Sequence, residues 1–217
     1  MDDIKLRENY EIGDISKFKN DYHLISSGKE GEQEIHTISY TSQEISDILE
    51  DGTIEVLTTI ENIEVLKGGI ELLVPVGTKE KIFLPPPEIA QRYPQEDLKI
   101  GSTWDRDFNM LLSPQLKWPS GNTIPMKIHY TLEGLEELHS TLCAKIKLDS
   151  SLIIDIPGQK ENTQQSRDTS GYNYFGLEDG KLLKSTSTIT NLITASGNVI
   201  MKTTEELIID LIDFDWN

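Results

Sequence analysis

Period-two alternation dominates the chain. Ile54, Val56, Thr58 and Ile60 stand at every second position, as do Ile124, Met126, Ile128, Tyr130 and Leu132, with polar residues mostly between them. Successive strand side chains point to opposite faces, so each run predicts a half-buried β-strand. Further strands are predicted over 34–40, 60–66, 70–74, 104–112, 142–148, 152–156, 172–177, 182–193 and 199–213, with a short apolar run at 82–84. The last of these is ambiguous. Leu207, Ile208, Leu211 and Ile212 have helical spacing, but Ile208, Ile212, Phe214 and Trp216 at even positions favour a strand.

Glycine punctuates the runs. Leu49-Glu50-Asp51-Gly52 and Leu177-Glu178-Asp179-Gly180 each separate two strands, as do Lys67-Gly68-Gly69 and Ser196-Gly197-Asn198. A tight hairpin turn needs positive φ, which glycine adopts without a steric cost, so Gly52 and Gly180 are read as structural turns. Segments 113–122 and 134–140 read as loop and turn. The polar segment 157–170 reads as a mobile loop, because it has almost nothing to bury. Pro85-Pro86-Pro87 fixes φ and lacks amide donors, which predicts an extended connector, followed by one helical turn over 88–93.

The chain thus divides into an N-terminal β half, 1–84, a proline-rich connector, 85–97, and a C-terminal β half, 98–217, within one continuous domain. Short echoes link the halves. The Leu-Glu-Asp-Gly turn occurs in both, Thr59–Ile63 resembles Thr188–Leu192, and Ile12-Gly13-Asp14 resembles Ile100-Gly101-Ser102. The expected fold is mostly β: an antiparallel, strongly curved sheet or half-barrel of about ten strands or more, built from two related halves, with few short helices.

Composition narrows the function. The 217 residues carry 37 acids against 20 bases, a formal net charge of -17. Such a surface repels phosphate backbones and anionic membrane faces, which argues against nucleic acid and against membrane docking. No apolar run approaches the roughly 20 residues of a spanning helix. The opening Met1-Asp2-Asp3-Ile4-Lys5 lacks the basic, apolar and cleavage regions of a secretory signal, so the expected compartment is the cytoplasm. A chain shorn of its leader would read the same and would belong in the envelope or outside.

No motif carries chemistry. His23, His36, His129 and His139 show no metal-helix spacing. Asp105, Asp107 and Asn109 alternate like the start of a calcium loop, but Met110 holds the glycine position and Leu116 the glutamate position. Cys143 sits among Leu142, Ala144 and Ile146, the setting of a core residue rather than a nucleophile. Nucleophile-elbow and phosphate-loop patterns do not occur. No catalytic, metal or cofactor residue is therefore assigned. Trp118, in a proline-flanked loop, and Trp104 are the candidate interaction residues.

Five short patterns share a likeness: Leu98-x-Ile100-Gly101-x-x-Trp104, Tyr130-Thr131-Leu132-x-Gly134-x-Glu136, Cys143-Ala144-x-Ile146, Gly171-x-x-Tyr174-Phe175 and Gly180-x-Leu182-x-x-Ser185. Together they resemble an uncharacterised family of β-rich bacterial proteins, often secreted or lipid-anchored. That family is similar in architecture to the open half-barrels of lipoprotein carriers and related lipid-binding envelope proteins. The resemblance implies a concave sheet able to hold an apolar molecule, and it transfers no catalytic residue. The expected function is non-enzymatic binding of a hydrophobic small molecule or a protein partner. The alternatives are an assembly protein using a sheet edge or the Trp118 loop, and a hydrolase with dispersed carboxylates.

Overall fold

The computed structural model describes residues 3–29, 31–68, 75–84, 93–94, 96–111, 123–156 and 162–212. Among them ten strands form one antiparallel sheet and there is no helix. The strands are β1 (Ile15–Gly28), β2 (Gly31–Ile48), β3 (Ile54–Lys67), β4 (Lys79–Leu84), β5 (Thr103–Leu111), β6 (Thr123–Leu138), β7 (Thr141–Asp155), β8 (Thr163–Gly176), β9 (Leu182–Ala195) and β10 (Asn198–Leu211). No helix among the described residues is long and apolar enough to cross a membrane.

Hairpins connect most neighbours. Between β6 and β7 only His139 and Ser140 turn, at φ 50° and 63°; between β9 and β10, Ser196 and Gly197 turn, at φ 51° and 80°. Two successive positive φ values match the right-handed twist of the flanking strands.

The strand order is β4-β3-β2-β1-β10-β9-β8-β7-β6-β5. The first and last strands therefore pair in mid-sheet, with Phe18 opposite Leu211 and Tyr22 opposite Leu207. Consecutive strands β4 and β5 are the two edges. Neighbouring strands lie about 4.8 Å apart, so a flat ten-stranded sheet would hold its edges roughly 40 Å from each other. Yet Leu84 on β4 and Arg106 on β5 line one cavity of about 470 Å³. The sheet is strongly curved and not closed. Register shifts at Ile45/Asp47, Leu132/Gly134 and Tyr174/Phe175 assist the bend, since a bulge raises local twist.

The inner face holds the core. Leu132, Ala144, Ile146 and Phe175 are completely or almost completely buried, and Ile4, Leu6 and Leu98 cover them. Ile4 and Leu98 exchange both backbone hydrogen bonds at 2.8 Å, so the N-terminal segment and the stretch around Leu98 lie over the inner face together. Burying each large apolar side chain stabilises the fold by about 1.5–3 kcal/mol. A second cluster, Ile45, Ile54 and Val56, packs against Tyr10 and Leu84.

The structure corrects several expectations. Of the mobile loop expected over 157–170, residues 157–161 lie outside the described residues, and Thr163 onward is not loop but β8, paired to β7 and β9. Its polar side chains hide a strand whose backbone groups are satisfied on both sides. The turn over 134–140 shrinks to His139 and Ser140, because a bulge carries β6 on to Leu138. The separate strands 142–148 and 152–156 are one strand, β7. The segment 199–213 is a strand as favoured, β10, but its inward side chains are Leu207, Ile209 and Leu211, while Ile208 faces outward. The few short helices are absent from the described residues. The predicted elements at 70–74, the three prolines, residues 88–92 of the helical turn, the loop over 113–122, Phe214 and Trp216 lie outside the described residues; Tyr93 sits in a bend.

Candidate functional site

Alternation places one set of side chains from nearly every strand into the concavity. The cavity of about 470 Å³ receives Ser16 and Phe18 from β1, Gln43 and Ile45 from β2, Val56 from β3 and Leu84 from β4. Across the curve, Arg106 of β5, Tyr130 of β6 and Asn173 and Phe175 of β8 face it. The covering segments add Tyr10 and Tyr93, and the Tyr93 ring lies 4.7 Å from that of Phe175, tilted by 53°. Five aromatic rings thus meet a handful of polar groups, the make-up of a small-molecule site.

The N-terminal segment is fastened at this end. Asn9 N–H donates to the Gly180 carbonyl at 3.2 Å. Gly13 N–H donates to the Ile45 carbonyl and Ile45 N–H to the Asp14 carbonyl. A like bracket precedes β5, where Gly101 donates to Leu132 and Leu132 to Ser102; Gly13 and Gly101 have φ of 91° and 93°. The Asp14 carboxylate accepts from Lys181 Nζ at 2.9 Å. That bond holds the Asp14 carboxyl below its ordinary pKa, against the opposing effect of burial. A wider depression bordered by Glu11, Glu178 and Asp179 shares Asp14, Ser16 and Lys181 with the cavity. The Asp14–Lys181 pair stands where the two spaces meet.

Several polar groups on the lining are not spent on the fold. Ser185 Oγ donates to Asn173 Oδ1 at 2.8 Å, and the Asn173 amide nitrogen has no acceptor among the described residues. Among the same residues, neither Arg106 nor Gln43 has a side-chain hydrogen bond or ion pair.

The residues singled out by sequence fall in different places. Trp104 lies on the inner face, stacked on Tyr130 with ring centroids 5.4 Å apart and planes 10° from parallel. Its buried Nε1 finds no acceptor among the described residues. Trp118 lies outside those residues. Gly52 (φ 81°) and Gly180 (φ 66°) occupy turns at Leu49–Thr53 and at the end of β8. A Cβ on Gly180 would lie 2.5 Å from the Arg7 carbonyl oxygen, so this turn also seats the N-terminal segment. Cys143 is wholly buried, donates to the Thr141 carbonyl at 3.3 Å, and burial raises its pKa. The histidines face outward. His36 Nε2 meets Asp21 at 2.8 Å, His23 Nε2 meets Glu34 at 3.0 Å, and His129 Nδ1 meets Asp105 at 2.7 Å. Among the described residues no group of three or more His, Cys, Asp or Glu is placed to hold a metal ion. Arg106, Asn173, Tyr10 and Lys181 carried no sequence signal, because only the curvature makes them neighbours.

The fold and its cavity define an open, strongly curved all-β sheet with a partly enclosed inner space. The sequence matches no protein-family model and no curated protein. Among solved structures, DynF from the dynemicin biosynthesis pathway of Micromonospora chersina is 9% identical, with a TM-score of 0.29, over 97% of this chain and 84% of that one. A domain from Vibrio parahaemolyticus described as an outer membrane lipoprotein-sorting protein domain is 8% identical, with a TM-score of 0.16, over 91% of this chain and 83% of that one.

Proposed function

We propose that the chain is a non-enzymatic binding protein that holds an amphipathic small molecule in its inner cavity. The carrying observation is the cavity itself: about 470 Å³, lined from both edges of the sheet and by rings from β1, β6, β8 and the two covering segments. Sites for small organic molecules fall in this size range and combine apolar walls with a few orienting polar groups. The resemblance to lipoprotein carriers implies an apolar occupant. Gln43, Arg106 and Asn173 on the lining favour one that also bears a polar end.

Nile red, a neutral solvatochromic dye, tests this reading. Saturable binding with a blue shift is expected, together with a copurified species in native mass spectrometry. Leu84→Trp narrows the cavity from its edge strand and should weaken dye binding while the far-ultraviolet β signal is kept. A wild-type protein with neither dye binding nor a copurified mass overturns the proposal.

A further inference from the structure

Arg106 is the unusual group in the cavity. The chain has 17 more acids than bases, so carboxylates are plentiful, yet none pairs with this half-buried guanidinium among the described residues. The other charges of the described lining are committed: Asp14 binds Lys181 at 2.9 Å, and Glu8 has a partner of its own. Holding a guanidinium partly out of water without an anion costs free energy that the fold does not recover. Asn173 lines the same space, and its amide nitrogen has no acceptor among the described residues. Donors without acceptors, set among aromatic rings, define the complement of a ligand.

We infer that the occupant is an organic acid whose carboxylate is bound by Arg106, with Asn173 as a second donor and the apolar body lying among Phe18, Tyr93, Tyr130 and Phe175. This rests on the binding reading above. A guanidinium matches a carboxylate through two parallel hydrogen bonds, a geometry lysine lacks. A phosphate dianion fits less well: one unpaired cation would have to offset two charges inside a protein whose overall field repels anions. The same field makes Arg106 the deciding element, since without it the cavity would favour neutral ligands.

The experiment uses two fluorescent probes of one shape, 1-pyrenebutyric acid and 1-pyrenebutanol, with the full chain. Wild type should bind the acid about tenfold or more tightly than the alcohol, the size of one charge-assisted contact. Arg106→Gln should abolish that preference, lowering the affinity for the acid about tenfold more than the affinity for the alcohol. Arg106→Lys should retain only part of it, and would decide the matter should the glutamine variant fail to fold by circular dichroism. Equal binding of acid and alcohol by wild type, or a preference that survives in Arg106→Gln, overturns the carboxylate assignment while cavity binding stands. Failure of both probes on wild type overturns the carboxylate assignment, and the binding reading falls with it only where Nile red binding and a copurified mass are absent as well.

Discussion

Asp14 and Lys181 form a 2.9 Å ion pair between the N-terminal segment and the start of β9. Residues 167 positions apart in sequence are joined because the sheet curves and the segment lies over its inner face. The hydrogen bond from Lys181 sets the direction of the Asp14 shift, downward. A carboxyl whose pKa is depressed in the folded state stabilises fully above its unfolded value and loses that contribution as pH falls through the folded one. Asp14→Asn should therefore lower stability at pH 7 by up to about 1 kcal/mol, because the pair is partly solvated. The gap in melting temperature between wild type and variant should close below about pH 4. A gap of constant size from pH 7 to pH 3 would refute the linkage.

Two turn glycines should respond differently to one change. Gly197→Ala meets only the strain of φ 80°, with nothing within 4 Å of the added carbon, about 1–2 kcal/mol. Gly180→Ala adds a methyl carbon 2.5 Å from Arg7 O and 2.8 Å from Asn9 N. Its loss in chemical denaturation should be at least twice as large, and it should weaken Nile red binding by displacing the segment that carries Tyr10. Equal losses for the two variants would contradict the seating of that segment on Gly180.

Inside the sheet, Gly171 and Gly134 should differ in the same sense. A Cβ on Gly171 would sit 2.0 Å from Thr186 O, on the neighbouring strand, while nothing lies within 4 Å of one on Gly134. Gly171→Ala should cost more than about 2 kcal/mol. Gly134→Ala should fall within about 1 kcal/mol of wild type. Urea midpoints give the comparison, and a tolerant Gly171 would show that β8 and β9 do not approach so closely.

Cys143 should be inert in the folded protein. It is fully buried, and burial disfavours its thiolate, the reactive form. Ellman's reagent should label it only on unfolding, with a rate that rises with urea. Because its pKa is raised in the folded state, the native protein loses stability relative to a Cys143→Ala variant as pH rises past about 9. Rapid native labelling at neutral pH would place the thiol outside the core.

Trp104 separates stacking from hydrogen bonding. Its ring lies on Tyr130, but its buried indole N–H finds no acceptor among the described residues. Trp104→Phe keeps a ring and deletes the unpartnered donor, so stability should change by less than about 1 kcal/mol. Trp104→Ala should cost about 3–5 kcal/mol. Thermal melts of both variants decide; a large loss in the phenylalanine variant would mean that the N–H has a partner.

The strands were legible where side chains alternate, as along Ile124 to Leu132, and at turns marked by glycine. They were not legible where both faces of a strand are polar. Thr163 to Ser170 gave no hydrophobic rhythm, yet its backbone is paired on both sides, and main-chain pairing leaves no trace in composition. Bulges had the same effect on 134–138: one extra residue breaks the period that pattern reading relies on. Trp104 was singled out by its size alone, whereas the groups with unspent donors, Arg106 and Asn173, are ordinary residues in ordinary strands.

From its sequence alone this protein was fated to be an acidic, antiparallel, β-rich chain, because period-two burial and positive-φ glycines are local properties that each segment carries with it. The placement of β10 beside β1, the bend that brings Leu84 and Arg106 to one cavity, and the clamp of Asp14 on Lys181 were decided only by tertiary structure. Those depend on pairing between distant strands and on accumulated twist, which no single stretch of residues encodes.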